Sequence, residues 1–225
     1  MPSPLVVFDL DGTLVDSAPD LIDTLNIVLA REGLAPVPYA TARNAIGGGA
    51  RRMVERALIA EGRPATTAQL DQLLAHFLEH YEAHIADRSR AFPSVEATLD
   101  LLAGRGYRLA VCTNKLEKLS VKLLDALGLL PRFAAICGQD TFGVQKPDPA
   151  ILLGTIDRAG GRADRVVMVG DSVADIKTAR TANIPVIAVD FGYTEVPVAE
   201  FGPDRLISSY TALPAAVFDL LPSQL

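Results

Sequence analysis

This sequence is poor in cysteine, has no excess of basic residues and contains no long apolar run. Its two cysteines, Cys112 and Cys137, lie in short apolar stretches, where reduced thiols packed in a core are expected, so we predict a cytoplasmic protein. The 21 Lys and Arg residues are scattered among 27 Asp and Glu residues, which disfavours nucleic acid as a partner. No run approaches the ~20 apolar residues of a membrane span, and Asp9 and Asp11 interrupt the N-terminal apolar stretch, unlike a signal peptide. We therefore expect no membrane partner either.

The composition is that of a folded globular protein. Hydrophobic residues make up 49% and charged residues 21% of the chain, far from the composition of disordered segments. Because one domain typically has about 100–200 residues, a chain of 225 residues has room for one large domain and a smaller insertion. We expect a monomer or a homodimer.

Short β-branched runs alternate with helical patterns along most of the chain. Near-continuous apolar runs bounded by turn signals are typical of parallel strands that are covered on both faces. The alternation predicts the α/β class, with a Rossmann-like parallel-sheet core. The predicted strands are 5–8, 108–112, 134–137, 166–169, 185–189 and 206–208, and the predicted core helices are 95–103, 116–127, 150–159 and 176–182.

Residues 17 to about 87 break this alternation, because they contain no convincing strand. Apolar side chains recur there at helical spacing in three stretches, which predicts a helical domain inserted after the first strand. Proline and capping residues in Asp16-Ser17-Ala18-Pro19 and Ala91-Phe92-Pro93-Ser94 mark its two junctions, which are candidate hinges. We assign residues 1–16 and 92–225 to the α/β core and residues 17–91 to the helical insertion.

Two acidic residues directly follow the first predicted strand, in Asp9-Leu10-Asp11-Gly12-Thr13. Ligands of open α/β sheets bind beyond the carboxyl ends of the strands. Residues two apart share a face, so Asp9 and Asp11 should lie close together, and Gly12 lets the backbone turn with its N–H groups free for an anion. Adjacent carboxylates repel unless a cation lies between them, and hard oxygen ligands suit Mg²⁺. The motif therefore predicts a magnesium site that also receives a substrate oxygen.

Later strands also end in polar groups. The stretch Gly170-Asp171-Ser172-Val173-Ala174-Asp175 brings Asp171 to the predicted metal site, whereas Asp175 could also be a first-turn acid favoured by the helix dipole. Thr113-Asn114-Lys115 offers a hydroxyl and backbone donors to phosphate oxygens, although Thr and Asn are also common helix caps. A single lysine such as Lys146 is usually a solvated surface charge. Its place among these groups, at successive strand ends in chain order, argues for a site instead.

Four stretches together resemble the motifs of the haloacid dehalogenase superfamily: Asp9 to Ser17, Thr113-Asn114, Lys146-Pro147 and Gly170 to Asp175. The resemblance covers essentially the whole chain, because the helical insertion lies where members with an α-helical cap carry theirs. The first motif, with its second Asp, is highly specific and favours the phosphatase branch over the dehalogenases, which lack that Asp.

The resemblance implies a Mg²⁺-dependent phosphatase that acts through an aspartyl-phosphate. Asp9 would attack phosphorus, and Asp11 would protonate the leaving oxygen and then activate water. Asp9, Asp171 and the backbone carbonyl of Asp11 would hold Mg²⁺, and Asp175 would support the metal's waters or orient Lys146. The phosphate-binding residues would be Gly12, Thr113, Asn114 and Lys146.

Within the superfamily, Ile46-Gly47-Gly48-Gly49-Ala50 and Phe191-Gly192-Tyr193 are similar to stretches of phosphoglycolate phosphatases. This implies a small phosphorylated metabolite as substrate, namely 2-phosphoglycolate, hydrolysed to glycolate and phosphate. The glycine run is a flexible connection or a ligand loop, and it precedes a helix whose N-terminus can bind an anion. The substrate's carboxylate needs a second positive site, although each arginine alone could simply be solvated. The candidates for this specificity are Arg43, Gly48, Gly49, Arg51 and Arg52.

Three other interpretations remain at this stage. A sugar-phosphate phosphatase or a phosphomutase would share the same core and insertion, and only the substrate separates them. A signalling module that phosphorylates an Asp beside Mg²⁺ has about 120 residues and lacks the helical insertion, so the segment 17–87 counts against it. A member that has lost catalysis is disfavoured because every motif position is filled.

Overall fold

The computed structural model describes residues 3–43, 46–194 and 196–222; residues 1, 2 and 223–225, at the ends of the predicted core, lie outside this part. None of the helices in these ranges is long and apolar enough to span a membrane. The strands are β1 (Leu5–Phe8), β2 (Val15–Asp16), β3 (Arg90–Ala91), β4 (Arg108–Cys112), β5 (Ala135–Cys137), β6 (Val166–Gly170), β7 (Val186–Val189) and β8 (Arg205–Ile207). The α-helices are α1 (Ala18–Arg31), α2 (Tyr39–Arg43), α3 (Ala50–Ala60), α4 (Thr67–Ala83), α5 (Val95–Gly104), α6 (Glu117–Ala126), α7 (Pro149–Arg158), α8 (Val173–Thr181) and α9 (Leu213–Leu220).

Six of these strands form one parallel sheet in the order β5-β4-β1-β6-β7-β8. The first strand is central: it pairs with β4 on one side and with β6 on the other. The chain builds one half of the sheet, crosses over and builds the other half. Because the winding direction reverses beside β1, a crevice opens at its carboxyl end, where ligands of such sheets bind. The predicted α/β fold class is confirmed.

The sheet is covered on both faces, as the continuous apolar runs predict. On β1, Val6 and Phe8 pack into one core layer, whereas Leu5 and Val7 pack into the layer on the opposite face. All four side chains are fully buried. β1 therefore has no polar face and is buried at the centre of the molecule. Its fixed position also fixes the position of the residues that follow it.

The helices α1 to α4 lie in the insertion, between two short strands that the sequence did not predict. β2 pairs with β3 in an antiparallel ribbon, with Val15 opposite Ala91 and Asp16 opposite Arg90. Two residues are too few to show a strand periodicity. Helix α2 was also missed, because Ala42 is its only residue described as buried and it therefore has no apolar stripe.

A buried carboxylate ties the start of the insertion to its end. Asp20, in the first turn of α1, accepts hydrogen bonds from the backbone N–H and hydroxyl of Ser89, at 2.8 and 2.6 Å, and from the N–H of Arg88 at 3.0 Å. Both Asp20 and Ser89 are buried. Because several donors compensate the desolvation of this carboxylate, the departing and returning chains are held side by side at the base of the insertion.

Candidate active site

A cavity of about 150 Å³ lies between the carboxyl edge of the sheet and the helical insertion. The sheet side presents polar groups that follow strand ends, and the insertion presents mostly apolar side chains from α1, α3 and α4. On the sheet side the cavity is lined by Asp9, Asp11, Thr113, Lys115, Lys146 and Asp171, and on the insertion side by Leu21, Gly49, Arg51, Met53, Phe77 and Tyr81.

Three buried carboxylates, from Asp9, Asp171 and Asp175, have ligand atoms within 4.8 Å of one another, and Asp9 and Asp171 line the cavity. The ammonium of Lys146 lies 2.7 Å from Asp9 Oδ1 and 2.6 Å from Asp175 Oδ1. Burial would lower the pKa of Lys146, but the attraction of Asp175 and Asp9 outweighs it and raises this pKa. The lysine is therefore a fixed positive charge beside Asp9.

Asp171 is held by donors from two loops. The hydroxyl of Thr13 donates to Asp171 Oδ1 at 2.8 Å, and the backbone N–H of Tyr193 donates to Oδ2 at 2.7 Å. Glycines allow both loops to lie this close to Asp171. A Cβ on Gly12 would lie 2.6 Å from Asp171 Oδ2, and a Cβ on Gly192 would lie 2.2 Å from Asp171 Cβ. Gly12 also has φ of +84°, which favours glycine.

The carboxylate cluster suits a hard divalent cation. Burial raises the pKa of Asp171, and the nearby charges of Asp9 and Asp175 raise it further. Burial also raises the pKa of Asp9, although the attraction of Lys146 opposes this. Asp9 Oδ1 is buried, and it faces the ammonium of Lys146 at 2.7 Å without the angles of a hydrogen bond. A bound cation would relieve the repulsion between carboxylates that are crowded in this way.

Asp175 both caps the N-terminus of a helix and contributes to the site, so the two interpretations of its motif hold together. Its Oδ2 accepts from the backbone N–H of Ser172 at 3.0 Å and from the hydroxyl of the same residue at 2.6 Å, which forms a capping box at the start of α8. Its other oxygen accepts from Lys146. Both oxygens are therefore engaged by protein groups, and Asp175 orients Lys146.

The Asp11 side chain points away from the three-carboxylate cluster, to a different set of partners. Ser17 donates its hydroxyl to Asp11 Oδ1 at 2.6 Å, and Lys115 Nζ lies 3.0 Å from both carboxylate oxygens. Lys115 also donates to the hydroxyl of Tyr81 at 2.8 Å. Asp11 thus lies between the cluster and the side of the cavity that the insertion covers.

The side chains of the two residues after β4, Thr113 and Asn114, have different partners. Thr113 lines the cavity, is buried and accepts a hydrogen bond from the N–H of Lys115 through its hydroxyl. The side-chain amide of Asn114 bonds to the backbone of Lys146, accepting from its N–H at 2.8 Å and donating to its carbonyl at 3.1 Å. The Asn114 side chain therefore fixes the lysine loop, and only its backbone is left to face a phosphate.

The candidates for substrate specificity do not all reach the cavity. Arg51 and Gly49 line it, and the guanidinium of Arg51 pairs with Asp71 at 2.5 Å. Arg43 instead donates to the carbonyl of Phe191 at 2.7 Å and lies 5.0 Å from the centre of the Tyr193 ring. The remaining two, Gly48 and Arg52, are likewise not among the described residues that line the cavity.

Sequence reasoning missed two residues of the cavity. The sequence marks Lys115 only through the backbone donors of its stretch, and Tyr81 only through the apolar stripe of α4. Their contact joins residues 34 positions apart, so no local pattern reveals it. A signal was present in Lys115, because it follows Thr113 at a strand end that the prediction already placed in the site.

Comparison with known proteins confirms the family. The model of the haloacid dehalogenase-like hydrolase family matches residues 6–189, which is more than half of the chain. The chain therefore belongs to the haloacid dehalogenase-like hydrolases and is an enzyme.

Among its relatives are phosphatases, which are phosphoric monoester hydrolases. It is 49% identical to the phosphoglycolate phosphatase of Agrobacterium fabrum over 222 residues, which cover 99% of this chain and 95% of the relative. It is 52% identical to the phosphoglycolate phosphatase of Mesorhizobium japonicum over 213 residues, covering 95% and 94% of the two chains. A crystal structure of a predicted phosphoglycolate phosphatase from Haemophilus somnus superposes with a TM-score of 0.88 at 30% identity, covering 96% of this chain and 98% of that one.

Proposed function

We propose that this protein is a Mg²⁺-dependent phosphatase that hydrolyses 2-phosphoglycolate to glycolate and phosphate through an aspartyl-phosphate on Asp9. The observation that carries the proposal is the placement of Asp9 at the end of β1, beside Lys146 and within reach of Asp11, in one cavity. The substrate is proposed because relatives about half identical over nearly the whole chain are named phosphoglycolate phosphatases. A cytoplasmic location stays a prediction from the sequence.

In the first half of the reaction an Asp9 oxygen attacks phosphorus and the bond from phosphorus to the leaving oxygen breaks. Asp11 gives a proton to that oxygen, so glycolate leaves as an alcohol. Lys146, with its charge fixed by Asp175, stabilises the negative charge of the phosphoryl oxygens, and Thr113 donates its hydroxyl to them.

In the second half a water molecule attacks the phosphorus of the aspartyl-phosphate. Asp11 now takes the proton of the water, phosphate leaves, and the Asp9 carboxylate is restored. The apolar side chains of the insertion exclude other water from the cavity. The pairing of Asp11 with Ser17 keeps the carboxylate at the place that both proton transfers need.

Asp9 and Asp171, together with the backbone carbonyl of Asp11, are the proposed ligands of Mg²⁺, and Asp175 supports them through Lys146. When bound, the ion would supply positive charge that neutralises the phosphoryl oxygens. The crowding of the buried carboxylates, whose ligand atoms lie within 4.8 Å of one another, supports this assignment.

We further propose that the insertion, residues 17–91, is a cap that moves on the core, residues 1–16 and 92–225, to admit substrate. The ribbon of β2 and β3 and the bonds of Asp20 to Ser89 would form its hinge. Tyr193 connects this hinge to the site, because its hydroxyl accepts from the N–H of Ala18 while its own N–H holds Asp171. Closing the cap would thus act on a proposed metal ligand.

A panel of small phosphoesters tests the function. With Mg²⁺ present, kcat/KM for 2-phosphoglycolate should exceed that for sugar phosphates, phosphoserine and p-nitrophenyl phosphate by at least about tenfold, because a matched leaving group gains roughly 1.4 kcal/mol or more in the transition state. EDTA should remove the activity. If a sugar phosphate is preferred, the proposed mechanism stands but 2-phosphoglycolate is not the substrate. Turnover in EDTA would contradict the proposed dependence on Mg²⁺.

Binding of Mg²⁺ should also appear as a pH-dependent gain in stability. Because the pKa values of Asp9 and Asp171 are raised above 3.8, the folded metal-free protein holds more protons than the unfolded chain once pH exceeds 3.8. The stability of the metal-free protein therefore falls as pH rises from 3.8 through the raised pKa values of about 6 and about 8. Bound Mg²⁺ should offset this loss of stability. At 100 times its Kd, the ion should add about 2.7 kcal/mol, a rise in Tm of roughly 5–10 °C at pH 8 and less at pH 5.

Thermal unfolding in Mg²⁺ and in EDTA at the two pH values gives the measurement. Asp171→Asn is the matched control, because it keeps the shape of the side chain and removes one proposed ligand. An equal Tm shift in the variant, or no shift in the wild type, would contradict the assignment of the metal site.

A further inference from the structure

The cavity is lined by a second buried lysine besides Lys146. Lys115 extends from the turn after β4 toward α4, and its side chain is only 5% exposed. Its ammonium has one acceptor for each of its three donors, namely the two Asp11 oxygens and the Tyr81 hydroxyl. Burial would lower the pKa of Lys115, but Asp11 and Tyr81 outweigh it and raise this pKa. The side chain is thus a cation that lines the cavity.

The position of Lys115 relative to Asp11 indicates what this cation can bind. In the proposed reaction Asp11 protonates the leaving oxygen, so the rest of the leaving group continues past Asp11, away from Lys146. In a phosphorylated 2-hydroxy acid, two covalent bonds of about 1.5 Å separate the leaving oxygen from the carboxyl carbon. Lys115 Nζ is 3.0 Å from Asp11. A carboxylate on the first carbon of the leaving group therefore falls within reach of the ammonium.

Tyr81 adds a neutral donor to the same position. Its hydroxyl accepts from Lys115, and within the described residues the hydroxyl hydrogen has no acceptor. The residue is 1% exposed and lines the cavity. An ammonium and a phenol on adjacent sides are a suitable pair for two carboxylate oxygens, since hydrogen bonds to a charged group are the strong ones.

The other cation from the predicted set that lines the cavity is less suited to this role. The side chain of Arg51 is 43% exposed and already pairs with Asp71. A carboxylate would have to replace a partner at either cation, but at Arg51 it would gain only an interaction screened by solvent. The buried cation is the one that discriminates between substrates with and without a charge, because an unsatisfied charge is costly there.

We propose that Lys115 and Tyr81 form a carboxylate subsite that selects phosphomonoesters of short 2-hydroxy acids. The inference rests on the proposed phosphatase function and adds the residues that recognise the leaving group. The substrate carboxylate replaces Asp11 as the partner of Lys115, which leaves Asp11 for the leaving oxygen. Because Lys115 belongs to the sheet edge and Tyr81 to the insertion, one carboxylate binds both sides of the cavity and favours its closed form.

The test compares 2-phosphoglycolate with ethyl phosphate, which has a two-carbon leaving group and no carboxylate. In Lys115→Met, the ratio of kcat/KM for 2-phosphoglycolate to that for ethyl phosphate should fall by about 10–150-fold, and in Tyr81→Phe by about 2–12-fold. Inhibition by glycolate should weaken in the same order. Tyr81→Phe removes one oxygen only, so it tests the subsite even if Lys115→Met does not fold.

Lys118→Met is the matched control, because Lys118 lies in the same region and also pairs with α4, through Glu82 at 2.6 Å, but is 74% exposed. It should keep the wild-type ratio. Equal losses for both substrates in Lys115→Met would overturn the subsite, since Lys115 would then act only through Asp11. If the ratio of the two kcat/KM values falls in Arg51→Gln but not in Lys115→Met, then the substrate carboxylate binds at α3 instead. If the wild type releases no phosphate from 2-phosphoglycolate, the proposed function fails and the subsite with it.

Discussion

Replacing Asp9 by asparagine is expected to lower phosphate release from 2-phosphoglycolate by about 10⁴-fold or more, the scale seen when a covalent nucleophile is removed. The amide has the size of the carboxylate but is a poor nucleophile for phosphorus, so the aspartyl-phosphate cannot form. The fold should survive, because Lys146 keeps Asp175 as its partner at 2.6 Å. Steady-state phosphate release and thermal unfolding, measured on the same preparation, give both parts of the result.

The intermediate itself can be trapped in the same experiment. Acid quenching of the wild type during turnover of radiolabelled substrate should leave phosphate on the protein, and hydroxylamine should remove it, because it cleaves acyl phosphates. The label should be absent from Asp9→Asn and present in Asp125→Asn, which changes an exposed carboxylate on α6. Turnover or labelling that persists in Asp9→Asn would require another nucleophile.

The sequence predicted the sheet well because burial on both faces leaves a direct trace in the residues. The predicted bounds of 5–8 and 108–112 are the bounds of β1 and β4, and the other strands of the sheet differ by one residue at one or both ends. The ribbon of β2 and β3 left no such trace. Its two-residue strands pair residues 74 and 76 positions apart, so only the folded chain brings Val15 to Ala91.

The site was predictable wherever a residue follows a strand, and less so wherever a partner lies far away in sequence. The strand ends bring Asp9, Thr113 and Asp171 to one cavity, as their motifs predict. Arg43 is one of several arginines that the sequence offers as candidates for the substrate's carboxylate, and its partner in the structure is the Phe191 carbonyl, 148 positions later. Composition and spacing carry no information on such a contact.

The loop after β7 shows how residues without catalytic chemistry can still determine the site. Gly192 allows the loop to approach Asp171, Tyr193 holds that carboxylate through its backbone, and the Tyr193 hydroxyl donates to Asp16 at 2.5 Å in the ribbon. Arg43 of the insertion contacts the same loop. The geometry of the carboxylate cluster and the position of the insertion on the core therefore both depend on the loop after β7.

The second large effect is expected from Lys146→Met, which should lower both stability and turnover. Lys146 is buried between Asp9 and Asp175, at 2.7 and 2.6 Å. Methionine fills similar space without the charge, and buried carboxylates are then left uncompensated, so the free energy of unfolding in EDTA should fall by about 3–5 kcal/mol. Because the pKa of Lys146 is raised above 10.5, its contribution is fully present below pH 10.5 and is lost only above the raised value. Loss of the charge beside the phosphoryl oxygens should lower kcat by about 10²–10³-fold.

Denaturant unfolding in EDTA at pH 7 and steady-state kinetics in Mg²⁺ separate the two effects. Lys177→Met, at an exposed position on α8, should change the free energy of unfolding by no more than about 0.5 kcal/mol and leave kcat at the wild-type value. If Lys146→Met unfolds at the wild-type denaturant concentration, then the carboxylates it contacts are not charged together in the metal-free protein. If its kcat is also unchanged, the positive charge that stabilises the transferred phosphoryl group must come from elsewhere in the cavity.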